Sequence, residues 1–250
     1  SGSSDDLNLN AVPDECEPDC NHDGINDNLE IAAAVSADTN NNGVPDNCEE
    51  TRILYVDDDA PGDPGPGNPI ISDPLENGTS EHPYDTIQQA INRAITDYGS
   101  DAGEHEVIVV KMRDGTYSGI GNYNIDLAGH PITVRSQNGP SACTIDLQNQ
   151  NRRGFIFDDT ETIGTRVEGL TIRGALVGKP NVGGAIRAVE SSPTILNCRI
   201  VNNSAYFGGG IAAVRSGIII RNCFISGNSS NKSAGVYSED SEIIVQNSTV

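Results

Sequence analysis

The sequence predicts an all-β fold, a right-handed parallel β-helix with about 25 residues per turn. Two observations predict it. From Val107 onward the chain consists of short β-branched runs separated by Gly and Asn. The glycine clusters in this part end at Ile186, Ile211 and Val236, which are 25 residues apart. Such a period, with three short strands per repeat, is typical of a coil in which each turn pairs with the next.

Other positions of the repeat keep the same 25-residue spacing. They are Ile195, Ile220 and Val245, then Asn197, Asn222 and Asn247, then Cys198, Cys223 and Ser248. Because turns stack about 4.8 Å apart, an Asn repeated at a bend is expected to hydrogen-bond to the next turn. A β-sandwich of short strands gives no reason for Asn and Cys to repeat in register. We expect the stacked thiols of Cys198 and Cys223 to stay reduced. An earlier stretch, "RVEGLTIRG", aligns with the repeat so that Gly169 takes the Cys198 position.

The part before the repeats, residues 51–106, predicts a strand, a loop and an N-terminal cap helix. Apolar residues recur at helical spacing over residues 85–98, with Asp85 as the expected N-cap. We expect an amphipathic helix here to cover the open end of the β-helix. The β-helix then occupies residues 107–250, and its first full turn starts at "EVIVVKM". No C-terminal cap is apparent in the sequence. The acids of the loop, Asp57, Asp58, Asp59 and Asp63, favour a solvated loop over a further cation site.

Residues 1–50 have a different composition, with 13 acidic residues and no Lys or Arg. Nearly all of the net charge of −21 lies in the first 100 residues. Such a segment repels nucleic acid and anionic lipid, so cations are its natural partners. No apolar run approaches the length that spans a membrane.

Three stretches of this acidic segment, residues 6–17, 19–30 and 38–49, fit the twelve-residue calcium-loop spacing. Oxygen ligands are needed at positions 1, 3, 5, 9 and 12, a backbone carbonyl at 7 and a glycine at 6. The predicted ligands are Asp6, Asn8, Asn10, Val12, Asp14 and Glu17; Asp19, Asn21, Asp23, Ile25, Asp27 and Glu30; and Asp38, Asn40, Asn42, Val44, Asp46 and Glu49. The first loop has Ala11 in place of the glycine. A disordered acidic linker would not keep this spacing, so we expect two or three calcium ions, with the four-carboxylate middle loop binding tightest.

Three of the six cysteines, Cys16, Cys20 and Cys48, lie in the acidic segment, where there is little core to bury them. This placement favours an oxidising compartment and at least one disulfide. The spacing leaves open whether Cys20 pairs with Cys48 or with Cys16. The sequence therefore predicts an extracellular protein, secreted or on the cell surface.

Two resemblances accompany these motifs. The pattern D-x-N-x-N-G-V-P-D-x-C-E of residues 38–49 resembles dockerin and thrombospondin type 3 repeats, and is similar to repeats of secreted planctomycete proteins; this resemblance covers residues 6–49. The phrases N-C-x-I and N-N-S-A…G-G-G-I resemble the pectate-lyase-like superfamily and the polymorphic membrane proteins of bacterial surfaces, over about residues 53–250. Ile200 stands where the latter family has Phe. The second resemblance implies a fold rather than a function.

Catalytic residues are not predicted. The best candidate patch contains Asp158, Asp159 and Glu161, near Arg152, Arg153 and Arg166. It would support a carbohydrate-active enzyme if Arg166 and Asp158 share a groove. Glu190, Arg215 and Asp240 stack at the 25-residue spacing and indicate an ion-pair ladder. The histidines, at 22, 82, 105 and 130, all precede the clear repeats, and the motifs of polygalacturonases and pectate lyases are absent.

The expected function is therefore that of a non-catalytic, calcium-stabilised structural or adhesive surface protein. Self-association is expected through the uncapped C-terminal end and the acidic N-terminal repeats, which would build a head-to-tail fibre. A glycan or surface partner is the other expectation for the flank of the helix. The alternative is a β-helix protein that binds or cleaves a polysaccharide.

Overall fold

The chain folds into a right-handed parallel β-helix of about six turns, as predicted. The structure is a computed structural model and describes residues 25–33, 45, 50–58, 75–98 and 106–250. In these residues, no helix is long and apolar enough to cross a membrane.

The elements follow one another in chain order. Before the repeats come α1 (Asp27–Ala32), β1 (Glu50–Val56) and α2 (Ile87–Tyr98). The first turns contain β2 (Glu106–Met112), β3 (Gly115–Tyr117), β4 (Ile125–Asp126), β5 (Ile132–Ser136), β6 (Cys143–Gln150), β7 (Phe155–Phe157), β8 (Arg166–Glu168), β9 (Thr171–Ala175) and β10 (Ile186–Val189). The last turns contain β11 (Thr194–Leu196), β12 (Arg199–Val201), β13 (Ser204–Phe207), β14 (Ile211–Val214), β15 (Gly217–Arg221), β16 (Phe224–Ser226), β17 (Ser229–Lys232), β18 (Val236–Glu239) and β19 (Glu242–Gln246).

Each full turn gives one strand to each of three parallel sheets. The first sheet has the order β1-β2-β5-β8-β11-β15-β19, the second β3-β6-β9-β12-β16 and the third β4-β7-β10-β14-β18. A short additional pair, β13 and β17, lies between the second and third sheets along the chain. Since β1 already pairs with β2, the stack begins one strand earlier than predicted.

The register agrees with the 25-residue period. Ile195 pairs with Ile220 and Ile220 pairs with Val245. One alignment was wrong by a single residue: Glu168 pairs with Leu196, so Gly169 occupies the Asn197 position rather than that of Cys198. Gly169 and Asn197 both have positive φ, +68° and +53°. This position of the turn therefore requires a left-handed backbone conformation, which Gly and Asn adopt most easily.

The repeated asparagines have two different roles. Asn197, Asn222 and Asn247 form the bend itself, with φ between +50° and +53°, and their side chains are largely exposed. Asn203 and Asn228 follow a left-handed residue and point inward, where they hydrogen-bond between turns. The predicted hydrogen bonds between turns are confirmed for this second set and for Asn197, whose Nδ2 donates to Glu168 at 3.1 Å. In the first set the backbone conformation also explains the residue type.

The interior is filled by the inward positions of the strands. Phe155 and Phe157 stack with ring centroids 5.9 Å apart, and both are fully buried. Cys143, Cys198 and Cys223 are buried free thiols. Cys198 and Cys223 are therefore reduced, as expected. Burial raises the pKa of Cys198. The disulfide predicted among Cys16, Cys20 and Cys48 lies outside the described residues.

The cap helix covers the first turn. Ile87, Ala90, Ile91 and Ala94 are fully buried against the stack, which explains the apolar spacing. The N-cap prediction was wrong by one residue, because Thr86 Oγ1 accepts the N–H of Gln89 at 3.3 Å and the helix begins at Ile87. Asp85 is buried instead.

The helix also closes an edge of the third sheet. The side chain of Gln88 accepts the N–H of Asp126 and donates to its carbonyl, both at 2.9 Å. These two bonds occupy backbone groups of β4, the first strand of that sheet. An edge that would otherwise offer free backbone groups is thereby covered.

The solvated loop expected at Asp57 and Asp58 was wrong, because both side chains are buried. Asp57 forms a salt bridge of 2.7 Å with Arg113, and Asp58 accepts the N–H of Thr116 at 2.5 Å. The two carboxylates therefore attach the end of β1 to Arg113, which follows β2, and to β3. Asp59 and Asp63 lie outside the described residues.

Candidate functional site

The structure describes the end of the second predicted calcium loop, with three of its ligands. These are Ile25, Asp27 and Glu30, at loop positions 7, 9 and 12. Asn26 caps α1, since its Oδ1 accepts the N–H of Leu29 at 2.9 Å. The remaining ligands of this loop, Asp19, Asn21 and Asp23, and all ligands of loops 6–17 and 38–49 lie outside the described residues.

The two described carboxylates of this loop are buried. Asp27 is 3% exposed and Glu30 is 2% exposed. Three residues apart on a helix, they lie on the same face. Buried carboxylates are found in proteins where they are paired, hydrogen-bonded or bound to a metal. Two carboxylates of the predicted loop therefore lie buried on one face of α1.

The candidate catalytic patch is divided between two sheets. Asp158 follows β7 of the third sheet and forms a salt bridge of 2.6 Å with Arg187 on β10. Arg166 belongs to β8 of the first sheet. Burial and the Arg187 guanidinium lower the pKa of Arg153, while Asp158 opposes this shift. Arg153 donates to the carbonyl of Val182 at 3.1 Å.

Glu161 is buried at a bend and holds backbone and hydroxyl donors. It accepts the N–H groups of Gly129 and Asp159, both at 3.1 Å, and the hydroxyl of Ser191 at 2.8 Å. Gly129, Asp159 and Ser191 follow β4, β7 and β10, which are neighbouring strands of the third sheet. Glu161 thus connects neighbouring turns through its carboxylate.

Asp126 adds a third carboxylate to Asp159 and Glu161, with ligand oxygens within 4.8 Å of one another. Asp126 could not be predicted as a neighbour from the sequence, because β4 belongs to the irregular early turns, which do not share the 25-residue repeat. Asp126 Oδ1 accepts the N–H of Ala128 at 2.8 Å, as in an Asx turn.

Ion pairs join neighbouring turns on the outer surface. The pairs are Asp146–Arg173 at 2.8 Å, Asp158–Arg187 at 2.6 Å and Glu190–Arg215 at 2.7 Å. The Glu190–Arg215 pair confirms the first contact of the ion-pair ladder predicted for Glu190, Arg215 and Asp240. Glu190, Arg215 and Asp240 are stacked bend residues with φ near +50°.

Aromatic and basic side chains gather where β13 and β17 meet the third sheet. This aromatic corner consists of Tyr206, Phe207, Tyr237, Lys179 and Lys232. The Phe207 ring lies 4.5 Å from that of Tyr206 and 5.2 Å from that of Tyr237, between centroids. The ammonium of Lys232 lies 5.6 Å from the Phe207 centroid, and that of Lys179 lies 5.0 Å from the Tyr206 centroid. No sequence motif signalled this cluster, because its members come from separate turns.

Comparisons of the chain with protein-family models, with curated proteins and with solved structures gave no match. The parallel β-helix is therefore the part of the expected resemblance that the structure bears out.

Proposed function

We propose that this protein is a non-catalytic, calcium-stabilised structural or adhesive protein of an extracellular surface. The observation that carries the proposal is the burial of Asp27 and Glu30 at positions 9 and 12 of a calcium-loop spacing. Both positions supply cation ligands in such loops. The same spacing in residues 6–17 and 38–49 supports two or three ions, as in dockerin and thrombospondin type 3 repeats.

The surface ion pairs support a structural role. Asp158, the acid that a catalytic reading needs, is paired with Arg187, and Glu161 is occupied by three donors. Exposed pairs each contribute only about 0–1 kcal/mol, so their number matters less than their arrangement. They repeatedly connect one turn to the next, which suits a rod.

Calorimetric unfolding of the full chain in calcium and in excess chelator tests the calcium part. A ligand that binds only the native state raises the unfolding temperature, so we expect a lower midpoint in chelator. Asp27→Asn should reduce the difference between the two conditions. Glu81→Gln removes an exposed acid outside the calcium loops and the strands and is the matched control. A midpoint that is the same with and without calcium would contradict the proposal.

Head-to-tail assembly is part of the same proposal. Ile244 and Val245 on β19 are 39% and 45% exposed. Exposed apolar residues on a strand favour association, and contacts that do not close produce filaments. Negative-stain electron microscopy should show filaments in calcium that separate in chelator. Short isolated rods under both conditions would remove assembly from the proposal and leave calcium as a local stabiliser.

A polysaccharide-binding function is the second candidate, and the aromatic corner favours it. Aromatic faces beside cations are suited to stacking on sugar rings and to holding acidic groups. Tyr206→Ala should abolish retention on a polysaccharide affinity gel if the corner binds glycans. Release of reducing ends from the same polysaccharide would indicate a cleaving enzyme instead.

A further inference from the structure

A groove of about 460 Å³ crosses the outer face of the first sheet, beside the bend that follows β5. Its lining is polar: it includes Lys111, Arg135, Ser136, Gln137, Glu168 and Asn197. The floor belongs to β2, β5 and β8, which are interior strands of a seven-stranded sheet. A volume of this size accommodates a small ligand or one to two sugar units.

Two cations lie next to each other in this groove. Lys111 on β2 is the register partner of Arg135 on β5. Lys111 lies between two buried residues and Arg135 follows buried Val134, so both side chains face outward. In-register residues on adjacent strands are about 5 Å apart. Like charges directly opposite each other destabilise a sheet, which makes this pairing costly unless an anion joins it.

The acids nearest to these cations are occupied by amides. Both carboxylate oxygens of Asp114 accept from Asn138 Nδ2 at 3.0 Å. Glu168, the register partner of Arg135, accepts from Asn197 Nδ2 at 3.1 Å. Glu168 remains in the lining, so the groove holds two cations and one carboxylate.

Four cations of the stack, Arg113, Arg173, Arg187 and Arg215, form salt bridges. Others, such as Arg199 and Arg221, form none with the described residues. Among the residues that the structure describes, none forms one with Lys111 or Arg135, and the Lys111 ammonium lies 5.5 Å from the Tyr55 ring centroid. On a chain with a net charge of −21, this groove is a local positive site.

We propose that the groove binds a tetrahedral oxyanion, a sulfate or phosphate ester group carried by a sugar. A carboxylate pairs best with one guanidinium through two parallel bonds. Two cations on adjacent strands are better bridged by a group with three terminal oxygens, which reaches the Lys point charge and the Arg fork together. The amide and hydroxyl groups of Gln137, Ser136 and Asn197 provide hydrogen-bond partners for sugar hydroxyls.

A peptide fits this groove less well. Peptides commonly bind by adding a strand to a free sheet edge, and the groove lies on paired interior strands. The lining also lacks a large apolar pocket for a side chain. These two features favour a sugar as the carrier of the anion.

Isothermal titration calorimetry of the full chain at low ionic strength tests the ligand chemistry. The probes are glucose 6-sulfate, glucose 6-phosphate, glucuronate and glucose. We expect saturable binding of at least one ester, at least tenfold tighter than glucuronate, and none of glucose. The order of the two esters identifies the anion. Failure of both esters to bind, or glucuronate binding as tightly as the better ester, would overturn the proposal.

Variants test the location. Arg135→Gln and Lys111→Gln should each weaken binding of the better ester at least tenfold. Arg221→Gln is the matched control, because Arg221 lies on the same outward column of the first sheet, outside the groove, and is exposed. Thermal unfolding establishes that each variant is folded. Unchanged binding by Arg135→Gln, or equal loss in Arg221→Gln, would place the anion elsewhere and refute the site.

Discussion

Asn203 and Asn228 are joined across one turn of the helix through a single oxygen. Oδ1 of Asn228 accepts the backbone N–H of Asn203 at 3.0 Å and its side-chain Nδ2 at 3.1 Å. Asn203 in turn accepts the N–H of Ala175 at 3.1 Å and donates to the carbonyl of Ile172 at 3.0 Å. A buried asparagine at this bend therefore supplies the partners that the backbone of the neighbouring turns requires.

Asn203→Ala should lower the free energy of unfolding by about 2–4 kcal/mol, because it leaves several buried backbone groups without partners. Chemical denaturation measures the change. Asn222→Gly is the control, since Asn222 has φ of +53° at an exposed bend where Gly is equally at ease. It should change stability by less than about 1 kcal/mol. Equal effects of the two substitutions would refute the distinction between the two sets of Asn.

Gly184→Ala should also be strongly destabilising. A Cβ at Gly184 would collide with the carbonyl oxygen of Gly209, one turn away, which explains why the glycine clusters repeat. A backbone neighbour cannot move without disturbing the stack, so we expect a loss of about 1–3 kcal/mol. Gly178→Ala is the control, because nothing lies within 4 Å of its added Cβ. A wild-type unfolding midpoint for Gly184→Ala would show that the glycines are not needed for close stacking.

Glu161→Gln should cost about 1–3 kcal/mol, because the buried carboxylate holds three donors and an amide replaces an accepting oxygen by a donor. Glu190→Gln removes one partner of an exposed salt bridge and should cost less than about 1 kcal/mol. Urea titration of both variants measures the difference. A neutral Glu161→Gln would argue against a structural role and return Glu161 to the candidate catalytic residues.

Stability should fall as the pH rises above 9, in part through Cys143. Burial, with Asp58 and Asp114 adding to it, raises the pKa of this thiol from 9.0 to about 12. The unfolded chain therefore loses this proton near pH 9 while the folded protein retains it, which favours unfolding as the pH increases towards 12. Cys143 contributes at most about 1.4 kcal/mol per pH unit.

Urea denaturation between pH 8 and 11 measures this contribution. Cys143→Ser should show a smaller loss of stability over that range than the wild type. Thr144→Ser, a non-titrating change at the next residue, should keep the wild-type slope. A Cys143→Ser slope equal to that of the wild type would show that the thiol does not titrate as the burial implies.

The regular turns of the β-helix could be predicted from the sequence, and the irregular early turns could not. Register pairs such as Ile195 with Ile220 could be predicted, because the repeat places the same residue types at a constant spacing. The pairing of Val134 with Val167 could not, because a longer connection separates those strands and removes the period. Gly169 was placed one residue off for the same reason.

Contacts between separate turns were the other part that sequence could not supply. Asp58 reaches Thr116, and Lys111 lies beside Arg135, only because strands distant in sequence become neighbours. The choice between Asp85 and Thr86 as the N-cap depended on which side chain faces the first helical N–H groups. Neither the spacing nor the composition of the sequence shows in which direction these side chains point.

Calcium binding by the full chain, measured by isothermal titration calorimetry after removal of metal, tests the central claim most directly. Loops of this spacing in extracellular modules bind with dissociation constants of about 10⁻⁴ to 10⁻³ M, and tighter ones are common. We predict saturable binding of two or three ions, with a weaker first event in Asp27→Asn and an unchanged one in Glu81→Gln. A chain that binds no calcium in the millimolar range would contradict the account.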